Sequence, residues 1–233
     1  MSARRDDLVA RLEAVADPDR AVGQQRYMKS AMPYHGVAMP EVRRIATAVD
    51  RAHPFADRVE WETGVLEIWR EATHREQRYA ATQLAARSSY RRWLDGEALP
   101  MIEEMIVTGA WWDHVDALAG DHMGEMLRQD PERVRPAMWA WATDPIERNE
   151  AVWRRRTSIL CQLTAKDATD LDLLFHAIEA SMDSTEFFLR KAIGWALRQY
   201  ARTDPEEVRA YVHRQEDRLS GLSRREALKH LGE

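Results

Sequence analysis

The sequence predicts an all-α protein, and three observations support this prediction. Apolar residues recur at spacings of three and four, which is the pattern of a helix with one buried face. Alternating apolar and polar runs, the pattern of half-buried strands, are nearly absent. Helix-start signals, each an Asp directly before a Pro, recur along the chain. An Asp can cap the start of a helix, and a Pro suits the first helical position because its missing amide hydrogen would have no partner there. These signals are Asp17-Pro18, Asp130-Pro131, Asp144-Pro145 and Thr203-Asp204-Pro205.

Apolar stripes place individual helices along the 233 residues. The clearest stripes, in chain order, are Leu8-Leu12-Val15, Ile102-Met105-Ile106, Leu171-Leu174-Phe175-Ile178 and Phe188-Ala192-Trp195. At the usual helix length of about 11–12 residues plus short turns, the chain holds roughly ten to twelve helices. No Gly/Ser-rich linker or low-complexity segment interrupts them. We therefore expect a single domain over residues 1–233.

Four segments share a plan in which polar or charged residues are followed by alternating small and large apolar ones. They are QRYAATQLAAR from Gln77, WDHVDALAG from Trp112, RRTSILCQL from Arg155 and RKAIGWALR from Arg190. Their starts are spaced by roughly 35, 43 and 35 residues, in or near the range of HEAT-like helix pairs. The repeated pattern is either a coincidence among helices rich in Ala and Leu or a true repeat. A true repeat predicts an α-solenoid whose inner helices are neighbours and line one concave surface. The small residues that would allow close packing are Ala81, Ala117, Ser158 and Gly194.

The composition argues against several kinds of protein. No apolar run approaches the roughly 20 residues that span a bilayer, and the charged N-terminus lacks the apolar segment of a secretory signal. The one cysteine, Cys161, excludes an internal disulfide and fits a reducing compartment, so we expect a cytoplasmic protein. Cys161 lies in an apolar run, where we expect a buried small residue rather than a nucleophile. Gly-rich phosphate loops and Gly-x-Ser-x-Gly turns are absent, so no cofactor is expected.

Basic residues cluster although the net charge is −5. Each cluster alone is ordinary solvated helix surface, whereas their recurrence is compatible with a local nucleic-acid surface. The clusters are Arg43-Arg44, Arg91-Arg92, Arg154-Arg155-Arg156, Arg190-Lys191 and Arg224-Arg225. A metal site has less support, because His114 and His122 with Asp113 and Asp121 match no standard ligand spacing. No metal is therefore expected.

The segment TGAWWDHVDALAG, residues 108–120, places aromatic rings beside carboxylates. Trp112 and Asp116 are four residues apart, so on a helix they share one face. The pair is either a structural coincidence or a site, because tryptophans at helical spacing usually lie in the core. Trp111 points about 100° away, and Asp113 fits a capping partner better than a second catalytic carboxylate. The tryptophans assigned to packing are Trp61, Trp69, Trp93, Trp139, Trp141 and Trp153.

Several blocks, in order from about residue 20 to the C-terminus, resemble one known family. They are Tyr27-Met28-Lys29, Tyr34-His35-Gly36-Val37, Pro40-Glu41-Val42-Arg43-Arg44, Trp112-Asp113-His114-Val115-Asp116, and the runs 153–160, 187–198 and 222–230. The chain resembles the AlkD family of DNA alkylation-repair glycosylases. The resemblance implies an α-solenoid of HEAT-like repeats whose concave groove holds duplex DNA. It also implies hydrolysis of the N-glycosidic bond of positively charged N3- and N7-alkylated purines, without base flipping.

The same resemblance implies the site residues. The family's acid and aromatic on one inner helix, arginine on the next and tryptophan on the following one match Asp116, Trp112, Arg156 and Trp195. Asp116 would stabilise the sugar cation and orient the attacking water, and the two indoles would hold the sugar. Arg156 would bind a backbone phosphate with its planar fork. Further DNA contacts are expected from Arg155, Arg190, Lys191, Tyr27, Lys29 and Arg43, which would make the groove basic although the protein is acidic.

We therefore expect a monomer that acts on duplex DNA carrying alkylated purines, with no metal, cofactor or membrane partner. It would be cytoplasmic, and nucleoid-associated when bound to DNA. Two alternatives stay open. One is a HEAT-like scaffold that binds DNA or protein through the same groove without catalysis, because a fold alone does not establish activity. The other is an enzyme that recognises branched nucleic acid by its shape. The presence of the acid, the arginine and both tryptophans together favours the glycosylase.

Overall fold

The structure is a computed structural model that describes residues 2–147 and 150–232. These residues form fourteen α-helices, joined by short 3₁₀ turns and one π-helical segment, and contain no β-strand. The all-α prediction is confirmed. The helices outnumber the ten to twelve expected because the chain includes short helices of six to eight residues. Within the described ranges, no helix combines the length and the apolar character that a membrane span requires.

By its contacts the chain divides into two compact units, Met1–Trp93 and Leu94–Glu233. The first contains α1 to α5, which are Ala3–Glu13, Pro18–Met28, Met39–Ala52, Arg58–Arg70 and Arg75–Ala85. The second contains α6 to α14, which are Leu99–Gly109, Trp112–Ala117, Gly124–Gln129, Pro131–Ala142, Ala151–Leu160, Leu171–Glu179, Phe187–Tyr200, Pro205–Arg214 and Gly221–Leu228. The π-helical segment Leu118–Met123 joins α7 to α8. No Gly/Ser-rich linker marks the boundary between the units, and a single domain over residues 1–233 stays a prediction.

In the first unit, α5 packs against α3 and α4, and α1 packs against α3. These helices enclose a core that includes the fully buried Trp61 and Trp69. The buried carboxylate of Glu76 on α5 accepts hydrogen bonds from the backbone amides of residues 35–37 at 2.9–3.0 Å. These bonds fix the segment that leads into α3. Helix α2 differs from the others because the only side chain that it buries is Met28.

In the second unit the helices pack in two layers. Helix α10 contacts α7 and α12, and α12 lies against α14. Helices α9, α11 and α13 form the second layer, since α9 and α11 pack against α10 and against each other, and α13 packs against α12 and α14. Such stacked helix pairs are the arrangement of helical-repeat proteins. The predicted helices at Trp112, Arg155 and Arg190 are therefore neighbours, as their repeated pattern indicates.

Three of the four predicted helix starts are confirmed. The carboxylates of Asp17, Asp130 and Asp204 accept hydrogen bonds from the amides three residues further on, at the starts of α2, α9 and α13. Asp144-Pro145 is the exception, because it lies in the turn after α9. Its carboxylate instead accepts a hydrogen bond from the guanidinium of Arg154 at 3.1 Å. At this position the Asp-Pro dipeptide does not start a helix, and Asp144 instead links the turn to α10.

The close approach of α12 and α14 depends on Gly194. A Cβ added at this position would lie 2.5 Å from the Cβ of Glu226 and 2.8 Å from the backbone oxygen of Ser223. Both distances are too short for van der Waals contact, and the second involves backbone that cannot turn away. The two helices therefore lie closer together than any side chain at position 194 would permit.

We expect Gly194→Ala to lower the free energy of unfolding by about 1–3 kcal/mol, the usual cost of forcing extra volume into a packed region. Chemical denaturation of the variant and the wild type measures this difference. Gly23→Ala on α2 is the matched control, because nothing lies within 4 Å of a Cβ added there. Alanine favours the helix by about 1 kcal/mol over glycine, so the control should keep or gain stability. A gain of the same size in both variants would contradict the steric argument.

Candidate functional site

A pocket of about 290 Å³ opens between α7, α10, α12 and α14 of the second unit. The residues that line it are Trp112, Asp116, Arg156, Phe187, Phe188, Lys191, Trp195, Arg198 and Glu226. All four residues expected to be catalytic are among them, although they come from three different helices. Among the described lining residues, three cationic and two anionic side chains give a formal charge of +1. The structure thus brings the predicted residues together in one partly aromatic, partly charged cavity.

Trp112 and Asp116 reach the pocket from one face of α7, one turn apart, as their spacing predicts. Helix α7 ends at Ala117 and continues directly into the π-helical segment. There the imidazole Nδ1 of His122 lies 3.3 Å from the backbone oxygen of Ala117. A π turn holds an extra residue and shifts the register of the helix, and such turns are frequent at functional sites. The turn that carries Asp116 is therefore the last regular turn before the register changes.

The carboxylate of Asp116 is held by the guanidinium of Arg156 through two parallel hydrogen bonds. Nε donates to Oδ1 at 2.7 Å and Nη2 donates to Oδ2 at 2.9 Å. Nη1 donates to the backbone oxygen of Phe188 on α12. The side chains of Arg156 and Asp116 are only 5% and 16% exposed. A bidentate pair of this kind fixes the orientation of the carboxylate as well as its charge.

This geometry gives Arg156 a partner within the protein, and its expected contact with a phosphate stays a prediction. The sequence predicted that its fork binds a backbone phosphate. In the structure, three of the five N–H donors of the guanidinium are directed at Asp116 and Phe188. A phosphate could take the fork only by displacing the Asp116 carboxylate from it. Arg156 therefore orients an anion of the protein itself.

Burial raises the pKa of the Asp116 carboxyl above its usual range, because a poorly polar environment disfavours the charged form. The hydrogen bonds and the positive charge of Arg156 act in the opposite direction, and the nearby Asp113 adds a smaller upward effect. A carboxylate that is withdrawn from water interacts more strongly with a neighbouring cation than an exposed one does. The site is thus built around a fixed and poorly solvated anion.

Aromatic rings form the walls of the pocket. Trp112 and Trp195 are partly exposed there, so both lie at the pocket surface and not in the closed core. Phe187 is exposed at the pocket. Phe188 packs edge-on against Trp111, with ring centroids 5.4 Å apart, so Trp111 supports the wall from outside the pocket. Two indole rings therefore line the same pocket as the Asp116 carboxylate.

Sequence reasoning assigned no role to Phe187, Arg198 or Glu226. On α12, Phe187, Lys191, Trp195 and Arg198 follow one another at spacings of four, four and three, which is the pattern of one helix face. This spacing could have identified Phe187 and Arg198 from the sequence. Glu226 has no such signal because it lies on α14, where it accepts hydrogen bonds from Nζ of Lys191 at 2.9 Å and from Nη1 of Arg198. Of the residues predicted only as DNA contacts, Lys191 is the one that lines the pocket.

Arg155 and Arg190 lie outside the pocket, and their guanidinium groups are directed at the backbone. Arg155 donates to the carbonyl oxygens of Asp144 and Ala180 at 2.7 and 2.8 Å. Nε of Arg190 donates to the carbonyl oxygen of Ser184 at 2.8 Å. These bonds tie turns to α10 and α12. The geometry therefore gives both arginines a structural role, and the phosphate contact expected from the sequence stays a prediction.

Tyr27, Lys29 and Arg43 belong to the first unit, where all three side chains are exposed. Tyr27 lies in the last turn of α2, and Lys29 ends this helix in the left-handed conformation with a φ of 50°. Arg43 lies on α3. Their exposure makes them accessible to a partner, and a contact between these residues and DNA stays a prediction.

Outside the pocket lie Cys161 and Trp139, for which the sequence also made predictions. Cys161 is fully buried, and burial raises the pKa of its thiol to about 12, so it is a core residue as expected. Among the residues that the structure describes, no group of three or more His, Cys, Asp or Glu side chains is placed to hold a metal ion. Trp139, assigned to packing, stacks on His176 at 3.6 Å but is 38% exposed, so it packs at the surface and not in the core. It lies on α9, in the second helix layer, next to α11, which carries His176.

The chain is similar to known proteins both in sequence pattern and in structure. A profile of the family described as "DNA alkylation repair enzyme" matches residues 8–231, a range that includes every residue lining the pocket. Comparison with curated proteins gives no match. Among solved structures, the chain is similar to a "Predicted DNA alkylation repair enzyme from Enterococcus faecalis", with a TM-score of 0.81 and 29% identity over 94% of this chain and 97% of that one. The chain therefore belongs to the family of DNA alkylation repair enzymes.

Proposed function

We propose that the protein is a DNA glycosylase that hydrolyses the N-glycosidic bond of positively charged N3- and N7-alkylated purines in duplex DNA. The observation that carries this proposal is the buried Asp116 carboxylate, held by Arg156 beside the indole rings of Trp112 and Trp195. A fixed anion in a pocket lined by electron-rich rings is suited to stabilising a cation. Membership of the family of DNA alkylation repair enzymes supports alkylated DNA as the substrate.

The chemistry of these lesions requires such a site. Alkylation at N3 or N7 leaves the purine positively charged, so the base departs as a neutral molecule with the electrons of the broken bond. As the bond between the base and C1′ lengthens, positive charge moves onto the deoxyribose, which gives an oxocarbenium-like transition state. Water then adds to C1′ and loses a proton, which leaves an abasic site. The protein therefore needs to stabilise a sugar cation more than it needs to protonate the base.

Each pocket residue has a distinct task in this scheme. Asp116 places a negative charge beside the sugar cation and accepts a hydrogen bond from the attacking water. Arg156 keeps that carboxylate ionised and oriented. The indole faces of Trp112 and Trp195 hold the sugar and attract its developing charge, with roughly 0.5–2 kcal/mol from each ring. Because this scheme recognises the sugar and the charge, the base need not be flipped into a fitted pocket, as most enzymes that act on bases require.

We expect the protein to release N7-methylguanine from a duplex that contains one such lesion, and to leave uracil in place in an otherwise identical duplex. Uracil is neutral, so its departure would leave a negative charge on the base, whereas the alkylated purine departs as a neutral molecule. The rate for N7-methylguanine should exceed spontaneous loss by at least about a hundredfold, which corresponds to about 2.7 kcal/mol of transition-state stabilisation. Chromatography of the released base, with the protein in excess over DNA, measures both rates.

The same assay can contradict the proposal in two ways. Release of N7-methylguanine at the spontaneous rate would show that the protein is not a glycosylase for this lesion. Persistence of salt-sensitive DNA binding in that case would favour a scaffold that binds DNA without catalysis. Equal release of uracil and N7-methylguanine would instead contradict selection by the charge of the base.

A further inference from the structure

Two carboxylates line the pocket, and the proposed chemistry uses only Asp116. The second, Glu226, projects from α14 and is mostly buried. It accepts hydrogen bonds from Nζ of Lys191 at 2.9 Å and from Nη1 of Arg198. The hydrogen bond from Lys191 is the largest of the effects that hold the pKa of Glu226 below its usual range. We refer to Lys191, Arg198 and Glu226 as the ion triad.

The two cations of the ion triad lie on either side of Trp195. Lys191 precedes Trp195 by four residues and Arg198 follows it by three, so all three side chains share one face of α12. Glu226 reaches both cations from α14, because the absence of a side chain at Gly194 lets the two helices approach closely. The ion triad is therefore part of the pocket edge, next to a wall that the proposed reaction uses.

Among the described residues that line the pocket, three carry a positive charge. The Arg156 side chain is 5% exposed, and its fork is directed at Asp116. The side chains of Lys191 and Arg198 are 38% and 24% exposed. An ammonium has three N–H donors and a guanidinium has five, and Glu226 accepts one from each of these groups. Lys191 and Arg198 are thus the pocket cations with donors that a DNA phosphate can reach.

We propose that Glu226 is a positioning residue that holds Lys191 and Arg198 at the pocket edge, where they bind the DNA phosphate beside the damaged nucleotide. This inference rests on the proposed glycosylase function. Without an ionised carboxylate between them, the two cations on one helix face repel each other and their long side chains regain rotamer freedom. Binding a phosphate then requires both side chains to be ordered at the same time, which weakens the complex.

Glu226→Gln tests this proposal through the sign of its effect on DNA binding. A carboxylate that merely repels DNA would strengthen binding once it is neutralised. The positioning role requires the opposite: about tenfold weaker binding of an undamaged duplex, near the lower end of what one charge-assisted hydrogen bond contributes. The slope of the logarithm of the binding constant against the logarithm of the salt concentration should also become shallower by about 0.9 for each phosphate contact that is lost. Fluorescence anisotropy over a series of salt concentrations measures affinity and slope together.

Two further variants separate positioning from a general effect on charge or folding. Glu206→Gln makes the same change of charge at a surface position of α13 and should keep the wild-type affinity and slope. Adding Glu226→Gln to a Lys191→Met, Arg198→Met background should change neither quantity, because the groups that Glu226 positions are then absent. Thermal melting of every variant identifies any loss of folding.

Tighter binding or an unchanged salt slope in Glu226→Gln overturns the proposal. So does a loss of affinity that is just as large in the background lacking both cations, because Glu226 would then act by another route. The anisotropy measurement requires no base release, so its result is separate from the test of catalysis. A protein that shows this dependence on Glu226 but releases no base would contradict the glycosylase and still support the positioning of the two cations for phosphate.

Discussion

Asp116→Asn is expected to reduce the single-turnover rate of N7-methylguanine release by about 10²–10³-fold, the range found when one preorganised electrostatic group is removed. Asparagine has nearly the same shape, and its oxygen can still accept one hydrogen bond from Arg156. The pocket therefore keeps its form and loses its anion. The sugar cation then faces the guanidinium without the negative charge that separates the two. Affinity for undamaged DNA should not fall, because no phosphate contact is removed.

Asp113→Asn is the matched control, since it makes the same change three residues earlier. Asp113 lies in the first turn of α7, where a carboxylate typically contributes about 0.3–1 kcal/mol by interacting with the helix dipole, and it is not among the residues that line the pocket. We expect this variant to keep most of the wild-type rate. Comparable losses in both variants would mean that the total charge of α7 matters more than Asp116. A wild-type rate in Asp116→Asn would remove Asp116 from the chemistry.

The features of the site that arise within one helix could be predicted from the sequence. Trp112 and Asp116 are four residues apart, and helix geometry alone puts them on one face. The neighbouring positions of α7, α10 and α12 followed from a repeated pattern of small and large apolar residues, because each repeat buries its apolar face against the next one. These inferences need only local periodicity, and the structure confirms them.

Contacts between helices were harder to predict, because they depend on distances that no local pattern contains. The planar fork of Arg156 suits a carboxylate as well as a phosphate, and the choice was decided by how close α7 lies to α10. Glu226 joins the pocket only because Gly194 lets α14 approach α12. Trp139 has helical spacing like the buried tryptophans, yet its exposure depends on which face of α9 the other helices cover.

Arg156→Met is expected to move the acid limb of the pH–rate profile to higher pH. Burial raises the pKa of Asp116, and Arg156 opposes this effect, so its removal raises that pKa further. Base release needs the ionised carboxylate, so the rate is lost as the pH falls through the pKa of Asp116. The acid limb of the wild type should lie above 3.8, the ordinary value for an aspartate, and that of the variant should lie higher still. Single-turnover rates measured at a series of pH values locate both limbs.

The free energy of unfolding also depends on the titration of the Asp116 carboxyl. A carboxyl with a raised pKa binds its proton more tightly in the folded state, so its contribution to stability is fully present below 3.8 and is lost as the pH rises through the folded pKa. In Arg156→Met, Asp116 is a buried carboxylate that has lost its ion-pair partner, which costs about 3–5 kcal/mol. This destabilisation should be greatest at neutral pH and should shrink as the pH falls and the carboxyl takes up its proton. Denaturation of the variant at two pH values measures the change.

Arg154→Met separates this effect from the general cost of removing an arginine from α10. Arg154 pairs with Glu103 and Asp144 at 2.8 and 3.1 Å and is not among the residues that line the pocket. It should lower stability and leave the acid limb where it is in the wild type. If the acid limb also stays in place in Arg156→Met, the bidentate pair is a structural link between α7 and α10 and does not control ionisation. A shift confined to Arg156→Met shows that Arg156, and not arginines on α10 in general, keeps Asp116 charged.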